Sequence, residues 1–214
     1  MVPSYKNRTL DEIVSAHIFH DALGFGLRAA SWIDYLERTG DFAAAQYACI
    51  DARLCIEHLV FELLVITANP RLTENDYQRC LKSPRQLDKL IKQIVPDYER
   101  LVAFSEIIQQ LTPGVPRINK WDIKGLMKDW GVLSSTLHWS GAPADTTENE
   151  AWQASTTESI RMVVIPLWKK LSSGRSGCIQ IDSMEPRVRE VWEQFRTNAI
   201  DADSARIRLE LVRP

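Results

Sequence analysis

The stretch from Phe42 to Ala68 is the feature that most restricts what this chain can fold into. Its apolar residues recur at helical spacing, among them Tyr47, Ile50 and Leu54, and Asn69-Pro70 stops a helix directly after it. In its second half the apolar residues cover almost the whole circumference, at Leu59, Val60, Leu63, Val65 and Ile66. A helix of this kind is surrounded by other helices. The sequence therefore predicts a helical bundle built around this segment.

Further helices are predicted on both sides of it. Thr9 and Glu12 form a capping box for a helix that could run to about Arg38, and Gly24 and Gly26 either weaken this helix or let another helix approach closely. Asn119 is the predicted cap of a helix from residue 120 to about 139. The other predicted helices cover residues 73–81, 84–94, 98–111, 148–171 and 185–196.

The periodicity changes after the polar segment 172–177. Residues 178–182 read as a short strand, and residues 205–212 alternate apolar and charged side chains, which is typical of a strand with one solvated face. We therefore predict a mainly α protein, with a helical bundle in residues 1–172 and a small strand–helix–strand unit in residues 178–214.

The charge is small overall but uneven along the chain. The formal net charge is −2, which gives no general attraction to DNA. Residues 1–78 hold six Lys or Arg against eleven Asp or Glu, whereas residues 79–128 hold ten against five. The basic segment can meet phosphates, or it can face the acidic segment of the same fold or of a partner subunit.

Cysteine usage and hydropathy bear on the cellular compartment. The four cysteines, at positions 49, 55, 80 and 178, match neither a zinc pattern nor a disulfide framework. The polar N-terminus has no apolar segment of a secretory signal, and the longest apolar run is too short to span a bilayer. The expectation is a cytoplasmic protein with reduced thiols, no membrane contact and no cofactor.

Arg53 and His58 are the first candidate site residues. The spacing Arg-x4-His resembles the Arg-x4–6-His pattern of HEPN (higher eukaryotes and prokaryotes nucleotide-binding) ribonucleases. The reaction needs a base for the ribose 2′-hydroxyl and a cation for the developing phosphorane charge. Five positions along one helix turn about 140° apart, so the alternative is local pairing of Arg53 with Glu57 and of His58 with Glu62.

A wider resemblance follows the order of the helices. The segment Ala52-Arg-Leu-Cys-Ile-Glu57-His-Leu is followed by Leu87-x2-Leu-Ile and then by a helix ending in Leu137-His138 before a polar loop. This order, across residues 10–172, resembles HEPN-like helical proteins. The resemblance implies a helical fold and places His138 at the position of the catalytic histidine.

The arginine that this family places before its histidine is missing here. Positions 131–133 are Gly, Val and Leu, and only Lys124 and Lys128 stand upstream on the predicted helix, where they could contact RNA. The alternative for His138 is an interaction with the last carbonyl groups of its helix. The resemblance therefore implies the fold more than the activity.

Two further patterns involve histidine and tryptophan residues. His17, His20 and Asp21 share one helix face and could bind a first-row metal, but a solvated polar face explains them as well, and no metal site is predicted. Trp121, Trp130 and Trp139 recur every nine residues, so successive rings alternate between opposite helix faces. A helix that is apolar on both sides indicates a subunit interface, and hence a homodimer.

The function that we expect from the sequence is a non-catalytic HEPN-like interaction or regulatory protein in RNA-linked stress or phage-defence biology. The biological setting comes from the resemblance alone. The alternative is a metal-independent endoribonuclease that uses Arg53 with His58 or His138 at a dimer groove.

Overall fold

The computed structural model describes residues 2–15, 21–68, 72–76, 78, 89, 93, 95–114, 118–137, 149–176 and 179–212. These residues confirm a mainly α protein, with one small sheet of two short strands. None of the helices in these ranges is both long enough and apolar enough to cross a bilayer.

Eight α-helices, two strands and one 3-10 turn have described bounds. In chain order they are α1 Leu10–Val14, α2 Ala22–Thr39, α3 Ala43–Ala68, α4 Tyr98–Leu111, β1 Ile118–Asn119, α5 Ile123–Leu137, α6 Glu150–Ser172, β2 Arg175–Ser176, the 3-10 turn Ile181–Ser183, α7 Pro186–Arg196 and α8 Ala202–Leu211.

The contacts group the chain into two compact units. Unit 1 contains residues 1–60 and 122–173, and unit 2 contains residues 61–121 and 174–214. Compact units are defined by contacts and need not fold independently, so the predicted domain division between residues 172 and 178 stays a prediction.

Unit 1 is held together by close helix packing on α3. Cys49 and Cys55 are fully buried there, and their Sγ atoms donate to the carbonyl oxygens of Leu133 at 3.0 Å and Ala22 at 3.1 Å. Burial raises the pKa of the Cys49 thiol to about 12, against a smaller lowering by Arg53. The thiol therefore stays protonated and behaves as a small apolar residue.

At Gly26, α2 packs closely against α3 and α6. A Cβ atom at this position would lie 2.9 Å from Leu171 Cδ1 on α6 and 3.3 Å from Cys55 Sγ on α3. The absence of a side chain therefore permits the packing of α2, as one of the two sequence interpretations expected.

The N-terminal segment is fastened to α2 by polar contacts. The Asn7 amide donates to Asp34 Oδ2 at 2.8 Å, and Arg38 Nε donates to the same oxygen at 2.9 Å. Arg38 Nη2 also donates to the Arg8 carbonyl at 2.7 Å, and the predicted capping box of Thr9 and Glu12 is confirmed. These bonds fix the start of α1 beside α2.

Unit 2 has an aromatic core between α4, α7 and α8. The Phe104 ring centroid lies 5.4 Å from that of Trp192 and 5.6 Å from that of Phe195, and all three residues are buried. Ala205 and Leu209 of α8 belong to the same core. Strands β1 and β2 pair in parallel beside it, with Ile118 opposite Arg175.

Several local predictions were wrong. Residues 205–211 belong to helix α8, with Val212 as its C-cap, and part of the predicted strand 178–182 is the 3-10 turn, so the predicted strand–helix–strand arrangement is not formed. Asn119 lies in β1 instead of capping a helix. The predicted helix from Thr9 to Arg38 is two helices, because Asp21 has extended backbone and caps α2.

Candidate functional site

Arg53 lies on α3 and contacts Trp130 and Glu57. Its guanidinium carbon stands 4.7 Å from the centroid of the Trp130 ring, and its Nη2 lies 3.7 Å from Glu57 Oε1. The same Glu57 oxygen accepts a hydrogen bond of 2.7 Å from Trp130 Nε1. The predicted local pairing of Arg53 with Glu57 is confirmed. The three side chains contact one another and join α3 to α5.

His58 contacts a different helix from Arg53. Its ring centroid lies 4.8 Å from that of Phe25 on α2, at an interplanar angle of 42°. The half-buried Arg53 faces α5 instead. The five-residue spacing thus places the two side chains against different neighbours, in agreement with the turn of about 140°. Pairing of His58 with Glu62 stays a prediction.

The other predicted site residues are spread out or lie outside the described residues. Lys124 and Lys128 are exposed, one turn apart on α5. His138, His17 and His20 fall outside the described residues. Asp21 is the N-cap of α2, and its Oδ1 accepts from the Gly24 amide at 2.7 Å. Among the residues that the structure describes, no group of three or more His, Cys, Asp or Glu could hold a metal ion.

A groove in unit 1, which the sequence did not predict, is a further candidate site. We call it the α1–α3 groove. It encloses about 660 Å³, within the usual range of binding sites. Its walls come from α1, α2 and the first part of α3. Its lining residues are Leu10, Ile13, Val14, Arg28, Trp32, Tyr35, Asp41, Ala43, Ala44, Tyr47, Ile50 and Asp51.

The walls of the groove are apolar and open to solvent. Leu10 and Val14 of α1 are 47% and 51% exposed, and Tyr47 and Ile50 of α3 are 53% and 43% exposed. Eight large apolar side chains are exposed among the described residues, and these are four of them. Exposed apolar side chains gathered in one concave place mark interaction sites, whereas single ones do not.

Two of the charged residues that line the groove, Arg28 and Asp51, pair with each other. Arg28 Nε donates to Asp51 Oδ2 at 3.1 Å, and Arg28 Nη2 donates to Oδ1. Trp32 Nε1 donates to Asp51 Oδ2 at 3.2 Å. Burial raises the pKa of Asp51, and the hydrogen bonds from Arg28 and Trp32, with the Arg28 charge, lower it in part. The pair therefore holds this part of the lining in one arrangement.

Three aromatic rings meet beside this pair. The Trp32 ring centroid lies 6.0 Å from that of Tyr35 at 83°, and 5.1 Å from that of Tyr47 at 33°. Arg28, Trp32 and Tyr35 stand at i, i+4 and i+7 on α2, which places them on one face. This spacing is a sequence signal for the groove that our sequence prediction did not use.

No protein-family model, curated protein or solved structure matches this chain. The candidate site therefore depends on the geometry of the α1–α3 groove.

Proposed function

We propose that this chain is a non-catalytic HEPN-like interaction protein that binds a protein partner in the α1–α3 groove. The observation that carries the proposal is the gathering of Leu10, Val14, Tyr47 and Ile50 on one open concave surface. Apolar area exposed in this way costs free energy in water, and a partner that covers it recovers that free energy.

The contacts of Arg53 favour this proposal over the ribonuclease alternative. A cation that stabilises a phosphorane must be free to face the substrate. Arg53 instead stacks on Trp130 and lies within ion-pair distance of Glu57. His58 packs on Phe25 of another helix. The ribonuclease with Arg53, His58 and His138 therefore stays a prediction with less support, as does RNA contact by Lys124 and Lys128.

The proposal includes a cytoplasmic homodimer in RNA-linked stress or phage-defence biology. The setting follows from the HEPN resemblance. The buried cysteines Cys49 and Cys55 support a reducing compartment. On α8, Ile207 and Leu211 are 59% and 79% exposed one turn apart, and this pair supports a contact between two copies.

The absence of catalysis is tested with RNA. Purified protein is incubated with mixed single-stranded and structured RNA in EDTA, beside the variants Arg53→Ala and His58→Ala. We expect no cleavage above a buffer control. Cleavage by the wild-type protein that both variants lose would overturn the proposal and establish the ribonuclease.

Sedimentation velocity over a range of protein concentrations measures the oligomeric state and tests whether Ile207 and Leu211 form a homodimer interface. We expect a dimer that Ile207→Ser and Leu211→Ser dissociate, with the far-ultraviolet spectrum unchanged. A chain that stays monomeric at every concentration would remove the homodimer from the proposal.

A further inference from the structure

We infer that the occupant of the α1–α3 groove is an amphipathic helix of a partner protein that carries a Lys or Arg beside its apolar residues. This inference rests on the proposed function, because it names the chemistry of the partner for the same groove. Its evidence is the length of the walls, the arrangement of the aromatic rings and the charges of the lining.

The walls of the groove fit a helix of about two turns. On α3 the wall runs from Ala43 to Ile50, seven residues further along, or about 10 Å of helix rise. On α1, Leu10 and Val14 stand four residues apart and form the opposite wall. An apolar stripe at i, i+3, i+4 and i+7 of a bound helix has this length.

The groove offers one well-exposed aromatic ring to a cation, that of Tyr47, which is 53% exposed beside the buried Trp32. Trp32 and Tyr35 meet nearly at right angles, and Tyr47 packs on Trp32. The face of an aromatic ring attracts an ammonium or guanidinium group within about 6 Å. Two neighbouring arginines already use this attraction, because Arg28 lies 5.1 Å from the Phe25 ring centroid and Arg38 lies 5.7 Å from that of Tyr35.

The charges of the lining favour the same cation. Arg28 and Asp51 neutralise each other, which leaves the exposed Asp41 as the third charged residue among the described residues that line the groove. Asp41 Oδ1 accepts from the Ala43 amide at 3.0 Å, and the ion pairs found among the described residues do not include Asp41. A partner cation therefore meets a carboxylate to which no basic side chain of the described residues is paired.

The size of the charge preference is limited by α3 itself. Asp41 lies at the start of α3, where the helix dipole places partial positive charge and offsets part of the carboxylate charge. We therefore expect a basic helix to bind about tenfold more tightly than its acidic twin, since one favourable charge contact of this kind is worth about that factor.

Two model peptides test the inference. One is a fluorescein-labelled helix of Leu and Lys with Leu at i, i+3, i+4 and i+7, and its twin has Glu in place of each Lys. Binding to the whole chain is followed by fluorescence anisotropy at physiological ionic strength. We expect the Lys peptide to bind and the Glu twin to bind about tenfold more weakly.

Three variants show whether the groove is responsible. Tyr47→Ser and Ile50→Ser remove contacts with the groove wall, so each should abolish binding of the Lys peptide. Asp41→Asn retains a capping side chain and should bring the two peptides to nearly equal affinity. Met162→Ser is the matched control, because Met162 is 61% exposed on α6 in unit 1 but does not line the groove.

Several results would overturn the inference. Absence of binding, equal binding of the two peptides, or equal losses in Met162→Ser and Tyr47→Ser would overturn the inference. A dimer that Tyr47→Ser dissociates would also overturn it, by identifying a second copy as the occupant, while the proposed interaction function would stand. Failure of the proposed function is a separate result, namely cleavage of RNA in EDTA.

Discussion

An aromatic cluster in unit 2 is buried, whereas an aromatic cluster in unit 1 is partly exposed to solvent. In unit 2, Phe104, Trp192 and Phe195 pack together and are all buried. In unit 1, Trp32 contacts Tyr35 and Tyr47, yet Tyr47 remains 53% exposed at the α1–α3 groove. The same kind of residue therefore stabilises the fold in one region and is available to a partner in the other.

The largest difference between the two regions should appear on truncation of one ring. Phe104 is fully buried, so Phe104→Ala should lower the free energy of unfolding by about 3–5 kcal/mol. Tyr47→Ala removes only an exposed ring that pairs with Trp32 and should cost about 0.5–1.5 kcal/mol. Urea titrations followed by circular dichroism measure both. Equal losses would mean that the groove ring is part of the core.

Two glycines of unit 1 differ in the space around them, and their alanine variants sharpen the comparison. Gly26→Ala places a methyl group 2.9 Å from Leu171 Cδ1 and should destabilise the protein by about 1–3 kcal/mol. Gly131→Ala on α5 meets nothing within 4 Å and should stabilise it by about 0.5–1 kcal/mol. Thermal unfolding of both variants gives the two signs. A Gly26→Ala variant that is as stable as the wild-type protein would contradict the close packing of α2.

One carboxyl group in each unit should contribute to the stability with an opposite dependence on pH. Asp51, at the groove, has a raised pKa because of burial, so its contribution to the free energy of unfolding is full below the ordinary Asp pKa and falls as pH rises through the folded-state pKa. Asp201, the cap of α8, has a pKa lowered mainly by the Ser204 amide, so its contribution is lost as pH falls through its folded-state pKa.

Asparagine variants measure these two contributions. In Asp51→Asn, the part of the stability that decreases as pH rises should be lost. In Asp201→Asn, which keeps a capping side chain, the part of the stability that decreases as pH falls should be lost. Urea midpoints recorded from about pH 2 to about pH 7 span the ordinary Asp pKa. The same change of slope in both variants would mean that the assigned directions are wrong.

The sequence predicted the long helices well because their periodicity extends over many turns. Helix α4 begins and ends at the predicted residues, and α3 differs by one residue. The short helix α8 was misread as a strand, because Ile207, Leu209 and Leu211 alternate with charged residues. Only Leu209 of these three is buried. The cap formed by Asp201 on Ser204 was the local signal for a helix.

The groove could not be predicted from periodicity alone. A helix that is apolar on most sides is either enclosed or carries an open binding face, and the sequence does not separate the two. On α3, Ala48 and Ile56 are fully buried, whereas Tyr47 and Ile50 face the groove. That difference depends on where α1 and α2 pack. The stacking of Arg53 on Trp130 likewise joins residues far apart in the sequence.

The smallest expected effect on stability tests the central claim most directly, namely that the α1–α3 groove is an open surface kept for binding. The measurement is the free energy of unfolding of Ile50→Ser, beside Ile56→Ser, from urea titrations. Ile50 is 43% exposed and Ile56 is fully buried on the same helix. We predict a change within about 0.5 kcal/mol for Ile50→Ser and a loss of at least about 2 kcal/mol for Ile56→Ser. A loss of several kcal/mol in Ile50→Ser would mean that the groove is closed in the folded protein and would contradict the account.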